Sequence, residues 1–202
     1  MGYRAVAALL TVFAIGGCVS PRVTDPARTA TEQLLVSTAV DLAVEQMDLA
    51  PLHNRRVVLD SANFDGVDKA YAVGAIADRL SRQGAKVTAD KEDADVVAAI
   101  RAGALSIDRS DFLIGVPRMN LPTPFGATVQ TPELAFLKKT RQEGIAKLAL
   151  SARDANTGKH ILSLGPLSGI SYHNLWSVLG IPFHFTNIPE KDAGRWWWPV
   201  GN

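Results

Sequence analysis

Few side chains in this sequence are placed where they would perform acid–base chemistry. Asp60, Asp65 and Asp68 surround the end of an apolar run of strand length, Arg56–Asp60, and open α/β sheets hold ligands at the carboxyl ends of their strands. The same residues suit a loop that leads into a helix, where Asp65 would cap the first turn. We expect that Asp65 caps the helix and that the three aspartates do not form a ligand site. With His173 as the only other acid or base candidate, we predict that the protein is not an enzyme.

The histidines give no sign of a metal site. None has another histidine at the i, i+4 spacing that places two imidazoles on one helix face; they are His53, His160, His173 and His184. His173 and His184 fall in the predicted C-terminal strands and could meet in space, although a strand histidine is more often a polar surface residue or a cross-strand contact. The motifs of common hydrolases, nucleotide-binding proteins and zinc proteases are also missing from the sequence. We predict no metal, no cofactor and no catalytic residue.

Cys18, the only cysteine, has the clearest chemistry. It follows one positive charge in Met1–Arg4, an apolar run over Ala5–Ile15 and two glycines, which together are typical of an export signal. The apolar run is shorter than the roughly 20 residues that span a bilayer. Residues 15–18 (IGGC) resemble a bacterial lipobox, in which diacylglycerol is attached to the thiol and the new N-terminal amine is acylated. The alternative is a plain secretory signal with an incidental cysteine, but the position of the only thiol favours lipidation.

The lipobox sets the expected domain limits and location. Residues 1–17 would be the lipoprotein signal peptide, residues 18–28 a lipidated tether and residues 29–202 a single envelope domain. Two or three acyl chains, at about 0.8 kcal/mol per buried methylene, make such an anchor effectively permanent. Val19, and not Asp, follows the cysteine. By the sorting rule for bacterial lipoproteins, this favours the outer membrane, with the domain facing the periplasm.

The composition is that of an ordinary globular chain. A hydrophobic content of 47% in 202 residues argues against a mostly disordered protein, because enough apolar surface is present to form a core. Lys and Arg number 21 against 20 Asp and Glu, whereas nucleic-acid binding needs a concentrated basic surplus. We therefore predict no nucleic-acid partner.

Periodicity predicts one α/β (α+β) domain, with two main helices packed on a mixed β-sheet and a C-terminal β-hairpin. A capping box of Thr29 and Glu32 starts the first helix, Ala30–Met47, whose broad apolar stripe should be buried against a sheet. The second helix should run from about Val67 to Gln83, with Gly84 as its stop. The other predicted strands are Arg56–Asp60, Lys86–Ala89, Val96–Ile107, Ile170–Tyr172 and Ser177–Phe185.

The hairpin is the strongest local signal. Gln142–Asp154 alternates between apolar and mostly polar residues, Asp154–Gly158 has the composition of a turn, and His160–Leu164 returns as an apolar run. The alternation predicts which residues face the core: Ala146, Leu148, Leu150 and Ala152. It places Lys147, Ala149, Ser151 and Arg153 on the opposite face.

Between Asp111 and Pro132 the pattern breaks. Prolines and glycines recur there at a density that a central strand or helix does not tolerate. We predict a long, ordered, apolar loop that packs on its own sheet, covers an oligomer contact or dips into the membrane. Three adjacent indoles near the C-terminus would bind lipid, sugar or a partner, or fold back onto the domain. The candidate partner-binding residues are Phe112, Leu113, Ile114, Met119, Phe125, Trp196, Trp197 and Trp198.

Several segments together resemble a family of uncharacterised bacterial lipoproteins, and the resemblance covers most of the mature chain. They are the lipobox, Thr24–Pro26, Arg28–Leu35, Gly115–Pro117, Leu121–Pro124, Thr131–Glu133 and the hairpin segment Ala152–Gly158. The order of elements is more remotely similar to the α/β domains of the curli-secretion lipoprotein, the penicillin-binding-protein activator lipoproteins and the N-terminal domain of TolB, which is an analogy of fold. The curli-secretion lipoprotein builds its pore from long alternating hairpins, which the proline-rich segment is not expected to form.

We therefore expect a membrane-anchored periplasmic lipoprotein that acts as a non-enzymatic binding or scaffolding module of the cell envelope. Its expected partners are the lipid bilayer, through acylated Cys18, and an envelope protein or cell-wall component; a homo-oligomer is a further option. The alternative is a subunit of an outer-membrane secretion or assembly complex related to the curli-secretion lipoprotein, which requires a self-complementary surface.

Overall fold

The structure, a computed structural model, describes residues 28–66, 68–122, 126 and 128–189. The predicted lipidation site Cys18 and the candidate residues Phe125 and Trp196–Trp198 lie outside the described residues. Within them the chain forms two α-helices, a short 3-10 turn at Ala50–Leu52, and eight strands. The helices are α1 (Ala30–Glu45) and α2 (Lys69–Arg82). The strands are β1 (Arg56–Asp60), β2 (Lys86–Thr88), β3 (Val96–Val116), β4 (Asn120–Pro122), β5 (Thr128–Gln130), β6 (Leu134–Asp154), β7 (His160–Val178) and β8 (Ile181–Thr186).

Six of the strands form one mixed sheet in the order β2-β1-β3-β6-β7-β8. β1 pairs in parallel with β2 and with the first residues of β3, and the remaining pairs are antiparallel. β4 and β5 form a separate short hairpin between β3 and β6. The predicted fold class, a mixed sheet with two helices and a C-terminal hairpin, is confirmed.

Both helices pack on one face of the sheet, where the core lies. α1 begins with the predicted capping box: the Thr29 side chain accepts from the Glu32 N–H, and the Glu32 side chain accepts from the Thr29 N–H. Its apolar stripe is buried, as expected. The largest fully buried side chains include Leu35, Met47, Leu52, Ile76, Leu80, Ile100, Leu148 and Leu150.

The cap of α2 differs from the prediction. The helix begins at Lys69, so Asp68, and not Asp65, takes the cap position. Within the described residues Asp68 makes no side-chain capping bond, and its carboxylate instead accepts from the Arg28 guanidinium at 2.6 Å. Asp65 is an exposed loop residue. The predicted end of the helix is confirmed, since Gly84 follows with a positive φ of 86°.

The predicted hairpin forms between β6 and β7 and follows the predicted alternation. Ala146, Leu148, Leu150 and Ala152 are all buried, whereas Lys147 is exposed. Asp154 organises the turn, because its Oδ1 accepts hydrogen bonds from the backbone N–H groups of Asn156 and Thr157 at 3.1 and 2.9 Å. Asp154 thus acts as the turn residue that its sequence context indicates.

The predicted long loop over Asp111–Pro132 is wrong. β3 continues to Val116, β6 begins at Leu134, and β4 and β5 take up six of the residues between them. Pro117 directly follows β3 and Pro132 precedes β6, so these prolines stand at strand ends and do not interrupt a ladder. Pro117 and Pro132 therefore flank the tip of a long hairpin.

The last two predicted strands also have different limits. Ile170–Tyr172 lies inside β7, and the predicted strand Ser177–Phe185 is divided by a two-residue turn. Leu179 and Gly180 both have positive φ values, 50° and 83°, which is the backbone of a type I′ hairpin turn. Only Gly180 signals that conformation in the sequence.

Candidate functional site

Four antiparallel strands extend beyond the part of the sheet that the helices cover, and we call this extension the distal arm. It comprises residues 108–116 of β3, 134–143 of β6 and 172–178 of β7, together with β8. The helix-side face of the arm continues the face on which α1 and α2 pack. Its other side is the open face. Paired residues of antiparallel strands point to the same face, so the register assigns each side chain to one of the two.

A row of aromatic side chains crosses the open face. Phe112 pairs with Lys139, Lys139 with Trp176, and Trp176 with Phe183. The Lys139 Nζ lies 4.6 Å from the centre of a Trp176 ring, within the range of a cation–π interaction. The Trp176 and Phe183 rings are stacked, with centroids 6.2 Å apart and planes 5° from parallel. These contacts order the row before any partner binds.

Apolar side chains flank this row. One neighbouring row contains Ile114, Leu137, Val178 and Ile181. On the other side, the Phe185 ring meets Phe183 edge to face, with centroids 6.0 Å apart. We define the aromatic face as these side chains together: Phe112, Ile114, Leu137, Lys139, Trp176, Val178, Ile181, Phe183 and Phe185. Part of it borders an open cleft of about 400 Å³ beside Ser110 and Arg141.

The aromatic face is unusually exposed for apolar side chains. Phe112 is 55% exposed, Phe185 58% and Ile181 64%. Single exposed apolar residues are common on protein surfaces, but a contiguous patch of them is typical of an interaction site. The arrangement is suited to burial against another apolar surface.

The helix-side face of the arm is polar by comparison. Thr140 Oγ1 donates to Asp111 Oδ1 at 2.5 Å and Arg109 Nε donates to Asp111 Oδ2 at 3.1 Å. The Thr140 hydrogen bond, followed by that of Arg109, holds the pKa of Asp111 below its usual range. His173 and His184 meet on this face with ring centroids 5.7 Å apart, an arrangement that the sequence left open. The arm is therefore amphipathic.

No group of three or more potential metal ligands lies together within the described parts of the chain. Two of the aspartates considered for chemistry have structural contacts. Asp60 Oδ1 accepts from the Ala62 N–H at 3.1 Å, and Asp68 pairs with Arg28.

A second concavity lies between the helices. This open groove of about 540 Å³ is bordered by Asp41 and Glu45 on α1 and by Tyr71, Asp78 and Arg82 on α2. The Tyr71 hydroxyl donates to the Asp41 carboxylate at 2.9 Å. Burial and then this carboxylate raise the pKa of Tyr71 to about 12, so at neutral pH the tyrosine serves as a hydrogen-bond donor that joins the helices.

The structure separates the residues that the sequence grouped as one binding loop. Phe112 and Ile114 belong to the aromatic face, whereas Leu113 between them points to the helix-side face. Met119 is exposed near the tip, where its backbone N–H donates to Thr131 Oγ1 at 2.9 Å. Sequence reasoning missed Lys139, Trp176, Phe183 and Phe185. The i, i+2 spacing of Phe183 and Phe185 is the signal that could have found the last two.

The described residues define a two-layer α+β domain that carries an amphipathic sheet arm, with an apolar contact surface as its candidate site. The chain matches the family of unknown function DUF6655 over residues 14–193 and belongs to that family. The expected membership in an uncharacterised family is thereby confirmed. No curated protein and no solved structure gives a significant match. Neither described helix is long and apolar enough to cross a membrane.

Proposed function

We propose that the protein is a membrane-anchored periplasmic lipoprotein that acts as a non-enzymatic binding module of the cell envelope, with the aromatic face as its contact surface. The observation that carries the proposal is the contiguous apolar surface of the distal arm, which lies away from the core that the helices cover. The lipobox at Cys18 supplies the anchor. It also favours an outer-membrane location that faces the periplasm.

The chemistry of the surface supports binding and not catalysis. Trp and Phe side chains dominate the energetics of many interfaces because each buries a large area with few rotatable bonds. Lys139 and Phe183 already hold the Trp176 ring between them, so little ordering remains to be done when a partner binds.

Photo-cross-linking in living cells tests this proposal. A photoreactive amino acid at Phe112 would probe the open face, and the same group at Leu113 is the matched control because it points to the helix-side face. We expect adducts with an envelope component at position 112 and far fewer at position 113. Equal labelling at the two positions, or none at either, would refute the aromatic face as the contact surface.

A triple variant gives the corresponding loss of function. Changing Phe112, Ile114 and Phe183 to Ser should remove the adducts, tested from a photoreactive group at Phe185, while the thermal midpoint falls by only a few degrees. The control changes two exposed apolar residues outside the arm, Leu34 and Val87, to Ser. A collapse of thermal stability in the triple variant alone would show that its side chains belong to the core.

The second candidate function is a subunit of an outer-membrane secretion or assembly complex related to the curli-secretion lipoprotein. The specific observation in its favour is that Asp111–Val116 of β3 and residues 134–140 of β6, next to the proline-rich segment, pair as part of a long hairpin with one apolar and one polar face. The proline content of this segment therefore no longer argues against this candidate. The size of the protein extracted from membranes separates the two candidates, since a complex subunit should run as one closed assembly of fixed size and a binding module should not.

A further inference from the structure

Within the described residues, both outer edges of the distal arm lack a partner strand. β1 pairs with β3 only over Val96–Ala99. From Ile100 to its end, β3 pairs with β6 along one edge, and no described strand lies along the other edge. On the other side of the arm, β8 pairs with β7 and with no further described strand. Unpaired strand edges are templates for pairing with another chain.

The two edges lie at the same level of the register, and their strands run in opposite directions. Following the register across the arm, Ser110 on β3 shares a row with Phe185 on β8, Phe112 with Phe183, and Ile114 with Ile181. Three successive antiparallel pairs make β8 run opposite to β3. A second copy placed with its β3 along β8 of the first would therefore continue the antiparallel sheet.

We propose that copies of this chain pair edge to edge, with β8 of one copy against β3 of the next. The proposal rests on the proposed function, in which the arm is the contact surface, and it names a second copy as one partner of that arm. Because the two edges are different, the contact is head to tail and each copy can bind one neighbour on either side.

The side chains that would meet are complementary on both faces. On the open face, Phe112 of one copy would lie beside Phe183 of the next and Ile114 beside Ile181, so that the aromatic faces join. On the helix-side face, the carboxylate of Asp111 would lie beside the imidazole of His184. Aromatic, aliphatic and polar pairs of this kind stabilise neighbouring strands.

Pro182 limits the length of the new ladder. It has no backbone N–H to donate, and proline is tolerated in sheets on edge strands. The hydrogen-bonded pairing is therefore expected over residues 183–186 of β8, opposite residues 109–112 of the neighbouring β3. Ile114 and Ile181 would meet beyond this ladder through side-chain contact alone. Such a short contact is weak between free molecules, but anchoring to one membrane surface would raise the effective concentration of the copies.

Cysteine cross-linking of the full-length protein in its native membranes tests the contact. In the double variant Ser110→Cys with Phe185→Cys, the two thiols of one copy are three strand spacings apart, about 14 Å, which exceeds the reach of a disulfide. Mild oxidation should therefore produce a ladder of dimers, trimers and larger species. Each single variant retains Cys18 and measures the cross-linking that occurs without the paired thiols.

Two further variants make the test decisive. Arg109→Cys with Thr186→Cys probes the same contact from the helix-side face and covers a failure of the first pair to fold. Ser110→Cys with Lys86→Cys places the second thiol on β2, at the opposite edge of the sheet, and should give no ladder. The proposal is overturned if both test pairs give only the background species. In that case adducts from Phe112 to another envelope component would leave the proposed function standing.

Discussion

The Ser171 hydroxyl on β7 donates to the backbone carbonyl of Leu35 on α1 at 2.6 Å, and both residues are fully buried. This contact brings the helix backbone unusually close to the sheet. Glycines make the approach feasible: a Cβ added at Gly144 would lie 2.4 Å from the Leu35 oxygen, and one at Gly169 only 1.9 Å from the Ala39 oxygen. α1 thus packs on the backbone of β6 and β7 at a point where the sheet has no bulky side chain.

Gly169→Ala should destabilise the protein by about 1–3 kcal/mol, because the added methyl group forces α1 away from the sheet. Gly74→Ala is the matched control. A Cβ at Gly74 meets no described atom within 4 Å, and alanine in a helix interior is favoured over glycine by about 0.5–1 kcal/mol. The free energy of unfolding, measured in denaturant, should therefore fall for Gly169→Ala and rise for Gly74→Ala. A neutral Gly169→Ala would contradict the close packing.

Leu150→Ala should cost about 2–5 kcal/mol, since Leu150 is fully buried beneath the helices. Lys147→Ala, three residues away on the sheet face opposite the helices, should change the free energy of unfolding by less than about 0.5 kcal/mol. Urea titrations of the two variants would measure this difference. Similar small effects at both positions would show that the register of β6 is wrong.

Tyr71 should make stability depend on pH in the alkaline range. Its pKa rises from 10.0 to about 12 in the folded protein, so the folded state favours the protonated phenol. The contribution of Tyr71 to the free energy of unfolding is complete below pH 10 and is lost as the pH rises towards 12. Between these values the wild type should lose stability relative to Tyr71→Phe. Parallel stability curves for the two proteins over this range would refute the assignment.

Cys18→Ser should block lipid attachment and leave an unprocessed precursor. The reason is that the proposed lipobox uses this thiol as the acceptor of the diacylglycerol group, and the sequence has no other cysteine. Mass spectrometry and membrane fractionation would measure both effects. A variant that still matures to the wild-type size and sediments with membranes would refute the lipobox interpretation.

Local chemistry explains what could be predicted from the sequence. The Thr29–Glu32 capping box, the Asp154 turn and the alternation around Leu150 each depend on neighbours within a few residues, and the structure has all three. The strands at Arg56–Asp60 and Lys86–Thr88 were likewise predictable from short apolar runs. The contact between His173 and His184 was one option that the sequence left open.

The distal arm could not be predicted in the same way. Proline density indicated a loop, but Pro117 and Pro132 stand at strand ends, and the residues between Asp111 and Val116 pair with β6 along one edge. The aromatic face joins side chains from four strands, so Phe112 and Phe183 come together through pairings that no local pattern encodes. The capping role predicted for Asp65 is wrong because α2 begins two residues later than its apolar periodicity indicates.

The packing of α1 on β6 and β7 also has a consequence for the timing of folding. Leu35 and Ser171 are 136 residues apart in the chain. At a synthesis rate of about 5–20 residues per second, the helix is made on the order of 10 s before the strand that covers it. Contacts of such long sequence separation slow folding, so the apolar stripe of α1 needs protection by other factors during that interval. Native structure is therefore expected to form only after most of the chain is complete, and a nascent chain that stops before β7 should remain a substrate for chaperones or proteases.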